Sequence, residues 1–273
     1  MTESFRSRRD AFLDKVRRRP VVMGILNVTP DSFFDGGRFH VAGAAIAHAE
    51  KLAADGCDII DVGGESARPG AVPVAPDEEL ARVEAIVSAL ARRLAVPLSI
   101  DTTKATVAAR ALELGAIAVN SVGALNDPAM GGVVASAGAL FVIMHNRAEK
   151  DAAVDVVADI RAFFDRALGL AATAGIAREH TILDPGIGFG KTSRQNRDAI
   201  LRLGELRDYG RPILIGASRK SFLGSLAAGS PEASLSGTLA ANLVAAMHGA
   251  SIFRVHDVAE HVAALKVFDA LRV

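Results

Sequence analysis

The chain has 273 residues, half of them hydrophobic, 23% charged and only 5% aromatic. Thirty-one basic residues balance thirty-one acidic ones, and this zero net charge excludes a general nucleic-acid binder, which needs a basic excess for phosphate contacts. The apolar half excludes a disordered chain, and a single cysteine, Cys57, excludes an internal disulfide and a multi-cysteine zinc site and fits a reducing, cytoplasmic setting.

Residues 1–19 are Arg-rich, but Asp10 and Asp14 speak against a transit peptide, and a solvated leader helix is the expectation there. A strand follows over 21–26 and a helix over 42–54. Next come strand 57–62 and helix 77–94, strand 97–100 and helix 104–114, strand 117–120 and helix 128–137. The second half repeats the alternation: strand 139–144 and helix 154–174, strand 181–183 and helix 194–207. Strand 212–215 precedes a helical stretch over 220–248 that breaks near 229–231, and strand 251–255 precedes a last helix over 258–271. The strands are continuous apolar runs, as a sheet buried on both faces requires. Gly56, Gly115, Gly138, Gly175, Gly210 and Gly249 stand between a helix and the next strand, where a left-handed cap is wanted. Eight such units over 20–273 predict one (β/α)8 TIM barrel, with a doubly wound open sheet as the runner-up. Two uncharged stretches, 128–144 and 234–253, are interrupted by glycines and polar residues and do not read as membrane spans.

In a barrel of this kind the reacting groups collect at the C-terminal ends of the strands. Here those ends carry Asn27, Asp61, Asp101, Asn120, Met144-His145-Asn146, Asp184, Ser218-Arg219-Lys220 and Arg254-Val255-His256. Each has a plain reading: Asp101 suits a helix cap, Asn120 and Asp184 suit loop satisfaction, and His256 suits a cap or core histidine. Together Asp101, Asn120, Asp184 and Lys220 line one pocket, where carboxylates and amides suit a flat, donor-rich heterocycle. Arg254, which needs an anionic partner, and His256 stand near the usual phosphate position of such barrels, and Arg68 sits on a Gly-rich loop. Gly186–Thr192 is one residue short of the P-loop spacing, so a P-loop NTPase is excluded.

The run Gly24-Ile25-Leu26-Asn27-Val28-Thr29-Pro30-Asp31-Ser32-Phe33 resembles the opening motif of the dihydropteroate synthase family. Gly63-Gly64-Glu65-Ser66-Ala67-Arg68-Pro69-Gly70, Ser99-Ile100-Asp101-Thr102, Asp184–Lys191, Ser218-Arg219-Lys220 and Arg254-Val255-His256-Asp257 resemble five further motifs of that family in the right order. The resemblance runs from about Pro20 to the C-terminus. It implies a transferase of folate biosynthesis that joins 6-hydroxymethyl-7,8-dihydropterin diphosphate to 4-aminobenzoate by a dissociative, Mg²⁺-assisted route and is a sulfonamide target. By the same resemblance Asp101, Asn120, Met144, Asp184 and Lys220 hold the pterin. Asn27, Arg68, Arg254 and His256 hold the diphosphate, with Mg²⁺ on Asn27. Phe33, Pro69, Phe189 and Ser218 frame the aminobenzoate, and Asp101, Asp184, Lys220 and Arg254 carry catalysis. A homodimer is implied, with no nucleic-acid or membrane partner. Ala67, Phe34 and Ser121 depart from the family pattern. A methyltetrahydrofolate methyltransferase and a catalytically poor pterin-binding paralogue are the alternatives. Arg68, Arg254 and the Asn27 loop favour the synthase over the methyltransferase, and the paralogue has only Ala67 and Phe34 in its support against the cost of keeping a full polar constellation.

Overall fold

Eight parallel strands form the wall of the molecule: β1 (Val21–Asn27), β2 (Ile59–Gly63), β3 (Leu98–Asp101), β4 (Ala118–Val122), β5 (Leu140–Met144), β6 (Thr181–Asp184), β7 (Leu214–Ile215) and β8 (Ile252–Val255). They are hydrogen-bonded in the order β6-β5-β4-β3-β2-β1-β8-β7, and a parallel bridge between Leu183 and Ile213 joins the two ends of that sheet into a ring. The helices are α1 (Glu3–Arg18), α2 (Arg38–Ala54), α3 (Pro76–Arg93), α4 (Ala105–Glu113), α5 (Met130–Ala137), α6 (Val156–Thr173), α7 (Ser193–Leu201), α8 (Ser221–Leu226), α9 (Ala233–Met247) and α10 (Val258–Leu271). The molecule is the (β/α)8 barrel that the alternation predicts; this computed structural model describes residues 3–28, 38–66, 72–226 and 233–272.

The strands β2 and β5 are buried along their whole length, which explains why β5 reads as an unbroken apolar run and β2 as one interrupted only by Asp61. All six glycines expected to cap helices have positive φ, and α5 ends on Gly138 at φ 56°. None of the helices, among the described residues, is long and apolar enough to cross a membrane.

Two expectations need correction. The N-terminal segment is helical but not a solvated leader: Phe5, Phe12, Leu13 and Val16 of α1 are buried. The apolar stripe closes the base of the barrel, and polar contacts pin it there. Arg9 Nη1 donates to Gly138 O at 2.6 Å, while Arg19, just beyond α1, meets the buried Asp58 at 2.6 Å. The helix expected over 194–207 ends early, at Leu201, and a 3-10 helix takes over from Leu203 to Tyr209. Its tighter winding buries Leu203 and Leu206 while the chain turns into Gly210.

Strand register sets up the mouth. Asn27 pairs with Gly63, Gly63 with Asp101, and Asp101 with Asn120, so one row crosses four strands. On the far wall Val122 pairs with Met144 and Met144 with Asp184. Arg254 starts lower: it pairs with Met23, which pairs with Ile59, two residues before Asp61. Its side chain therefore runs up the barrel to reach the row.

Candidate active site at the barrel mouth

The centre of the mouth is an ion-pair cluster. Arg254 Nε donates to Asp61 Oδ2 at 2.6 Å, and Arg254 Nη2 donates to Asp101 Oδ2 at 2.6 Å. Asn120 Nδ2 donates to the same Asp61 oxygen at 2.9 Å. Asp61 is wholly buried, whereas the side chains of Asp101 and Arg254 keep 12% and 20% of their surface open to the mouth. Two carboxylates share one guanidinium, so with both ionised the cluster is one negative charge in excess. Burial pushes the Asp101 carboxyl up to about 7 against the pull of Arg254, with Asp61 adding to the rise. Burial works against the Arg254 charge too, but Asp61 and Asp101 more than offset it and hold its pKa above the usual arginine range.

Asp184 closes the far wall. Its Oδ1 accepts from Gly186 N at 2.7 Å, and burial raises its carboxyl above the ordinary range. Lys220 donates from Nζ to Ile187 O, and the same nitrogen stands 4.4 Å from the centre of the Phe189 ring. Burial draws the Lys220 ammonium down to about 8 although Asp184 opposes the fall. At the rim, Ser218 Oγ lies 2.9 Å from His256 Nδ1 and accepts from His256 N at 3.2 Å.

The geometry replaces several plain readings. Asp101 is no helix cap: the first amide of α4, Ala105 N, donates to Asp127 Oδ2 instead. Arg219 pairs with Asp257 at 2.5 Å and is half exposed. Asp101, Asn120, Met144, Asp184, Lys220 and Arg254 come together as expected, with Asn27 and His256 on the rim. Phe33, Arg68 and Pro69 lie outside the described residues, as do Phe34 and Ala67. The base of the loop that carries Arg68 is described: Glu65 accepts from Val74 N at 2.8 Å, and Lys104 bridges Glu65 to the buried Glu79.

Sequence reasoning gave no role to Asp61, His145 or Lys191. Asp61 had a signal, a carboxylate inside the apolar run 59–62, which needs a buried partner. Asn27 Oδ1 and Asp101 Oδ2 flank Gly63, where a Cβ would lie 3.7 Å from the first and 3.8 Å from the second. Among the described residues no group of three or more His, Cys, Asp or Glu is gathered to hold a metal ion by itself.

A family model described as a pterin binding enzyme matches residues 23–256, a span that contains every residue of this cluster. The dihydropteroate synthase of Escherichia coli is 43% identical over 257 residues, covering 92% of this chain and 91% of its own. That of Bacillus subtilis is 41% identical, covering 93% and 90%. The chain belongs to the dihydropteroate synthase family. A solved family member, the Xanthomonas albilineans enzyme with 4-aminobenzoic acid, superposes with a TM-score of 0.90 at 43% identity, covering 93% of this chain and 94% of that one. Membership of the dihydropteroate synthase family agrees with the pocket, whose groups sit at the strand ends where barrels of this type bind ligands.

Proposed function

We propose that this chain is a dihydropteroate synthase that condenses 6-hydroxymethyl-7,8-dihydropterin diphosphate with 4-aminobenzoate, releasing pyrophosphate and 7,8-dihydropteroate. The observation that carries the reading is the Asp61–Asp101–Arg254 cluster: an acidic floor with one guanidinium reaching toward the rim. Asp101, Asn120, Met144, Asp184 and Lys220 hold the pterin ring. Arg68, Arg254, His256 and Asn27 hold the diphosphate. Phe33, Pro69, Phe189 and Ser218 frame the aminobenzoate.

The charges suit a dissociative route. When the C–O bond to the diphosphate breaks, one unit of positive charge spreads into the pterin and one further unit of negative charge gathers on the leaving pyrophosphate. Asp101, backed by Asp61, faces the first; Arg254 and His256 face the second, so the site stabilises charge where it develops. The arylamine attacks as a neutral group, then loses its extra proton to water or departing pyrophosphate, so no strong general base is required. Mg²⁺ would suit the rim: Asn27 Oδ1, a hard oxygen that flanks Gly63 as the Asp101 carboxylate does, would hold it together with substrate phosphates and water. When bound, it neutralises pyrophosphate charge as a Lewis acid.

A homodimer is part of the proposal, supported by the exposed apolar side chains Leu226, Met247, Val267 and Leu271 on α8 to α10. A cytoplasmic setting suits Cys57, whose thiol burial pushes up to about 12. The test is pyrophosphate release from purified protein with Mg²⁺, pterin diphosphate and 4-aminobenzoate, omitting each in turn. Release that needs all three supports the synthase. Tight pterin binding without release sinks it and leaves a binding paralogue.

A further inference from the structure

Lys191 lies behind the pterin pocket, not in it. It is 2% exposed, and its Nζ has three acceptors: His145 Nδ1 at 2.7 Å, Gly186 O at 2.9 Å and Phe189 O at 3.2 Å. Burial draws the Lys191 ammonium down to about 7 although Asp184 opposes the fall, and in its charged form three hydrogens match the three acceptors. His145 Nε2 faces the Asp159 Oδ2 carboxylate oxygen at 3.1 Å, so the neutral ring carries its hydrogen there and leaves Nδ1 to accept from Lys191. Burial, with the Lys191 charge adding, pushes the imidazolium down to about 4, and this keeps the ring neutral. The charged groups facing Lys191 are Asp184, Lys220, Asp159 and Arg147.

The loop between β6 and α7 is thus held from two sides. Gly186 gives its carbonyl to Lys191 and its amide to Asp184 Oδ1, 2.7 Å away. Phe189 gives its carbonyl to Lys191 while its ring lies under Lys220. Lys220 takes the carbonyl of Ile187 between them. The loop is also pressed close to the strand β5 exit: a Cβ on Gly190 would lie 2.3 Å from Arg147 O.

We propose that Lys191, seated on His145 and Asp159, is a positioning residue that sets Asp184 against the pterin ring and Phe189 against the aminobenzoate. This rests on the substrate assignment above. A residue acting through Asp184 has a signature that general destabilisation lacks. Its effect on pterin binding vanishes once Asp184 itself is disabled.

The experiment uses the full chain and Lys191→Met, which keeps the stem and removes the donors. It measures 6-hydroxymethylpterin affinity, steady-state constants, thermal stability, and hydrogen exchange at the Gly186 and Gly188 amides. In Lys191→Met the pterin Kd and the aminobenzoate KM are expected to rise about tenfold, with kcat at saturation changed less than about threefold. In an Asp184→Asn background the same change should add less than about twofold to the pterin Kd. His145→Asn, which keeps an acceptor for Lys191, should stay closer to wild type than His145→Leu. Wild-type constants and unchanged exchange in a folded Lys191→Met overturn the inference, and so do losses that multiply with Asp184→Asn. If Lys191→Met does not fold, wild-type constants in His145→Leu overturn it. Hydrogen exchange needs no substrate, so a wild-type protein that releases no pyrophosphate removes the synthase reading while the loop restraint is still measured.

Discussion

Arg254 Nη2 stands 2.6 Å from Asp101 Oδ2, and the same guanidinium reaches Asp61 through Nε. Removing the guanidinium leaves two carboxylates side by side, one of them wholly buried. Breaking a buried pair from one side costs about 3–5 kcal/mol, because the remaining charge is stranded. Arg254→Met should therefore lower unfolding stability by that order and cut kcat/KM at least about 100-fold through loss of leaving-group stabilisation. Denaturant unfolding and pyrophosphate release check the two effects separately. A variant as stable as wild type would show that Asp61 and Asp101 do not depend on Arg254.

The pH dependence of pterin binding should have two limbs. In the proposed site Asp101 accepts from the ring's donors best as a carboxylate, and burial holds its pKa up at about 7. Affinity therefore rises as pH climbs through about 7. Lys220 presents its cation only below its own pKa, which burial lowers to about 8, so affinity falls as pH climbs further. The optimum lies between the two. For stability the sign is opposite on the acid side: a carboxyl whose folded pKa is raised favours the folded state when protonated, and that contribution is lost as pH rises toward 7. Titrating pterin affinity in Asp101→Asn should show the alkaline limb alone; persistence of the acid limb would assign it elsewhere.

The barrel was legible because the strands are short, mostly apolar runs, six of which follow a helix-capping glycine. The pocket was legible at the strand ends, where Asp101, Asn120, Asp184 and Lys220 recur around the barrel, although Asp101, Asn120 and Asp184 each have a plain local reading and Asp184 does accept from Gly186 N. Asp61 was harder: its partner Arg254 lies 193 residues away, and only ring closure beside β1 brings β8 near. Lys191 sits in a Gly-rich motif after β6; its buried partner is His145 at the exit of β5, which sequence spacing does not connect to it. The leader helix was misjudged for a similar reason. Its charges are visible in the sequence, but the barrel floor that accepts Phe12 exists only after folding.

That floor gives a stability prediction. Phe12 is 2% exposed, so Phe12→Ala should cost about 3 kcal/mol or more by the usual large-to-small cavity cost. The active-site residues are at the opposite end of the strands, so pterin affinity at a temperature where the variant is folded should match wild type. Thermal unfolding and pterin titration on the same sample test both halves. A weakened pterin site in the folded variant would mean that the floor and the mouth are coupled.

Metal removal should separate the two halves of the first substrate. In the proposed site the ring contacts come from side chains of the chain itself, while Mg²⁺ would be held by Asn27 and the substrate phosphates. Chelation should abolish pyrophosphate release and weaken pterin diphosphate binding by at least about tenfold, yet leave 6-hydroxymethylpterin affinity unchanged. Calorimetric titration of both ligands with and without chelator decides it. Equal loss for the two ligands would place the ion in the pterin pocket instead.

Two glycines make opposite predictions from the same substitution. Gly186 has φ +66°, and a Cβ there would lie 1.8 Å from His145 O, a backbone atom with no freedom to move aside. Gly132 lies inside α5 with nothing within 4 Å of its Cβ position. Gly186→Ala must push the loop off His145, dragging the amide that Asp184 accepts from and the carbonyl that Lys191 holds. It should destabilise the protein and cut pyrophosphate release at least about tenfold, since strain at a positive-φ site adds to the clash. Gly132→Ala removes backbone entropy from the unfolded chain and adds no contact, so it should stabilise by about 0.5–1 kcal/mol with activity unchanged. Thermal unfolding and turnover of the pair test the loop directly. If Gly186→Ala kept wild-type turnover, the β6–α7 loop would not need the conformation in which Lys191, Gly186 and Asp184 are joined.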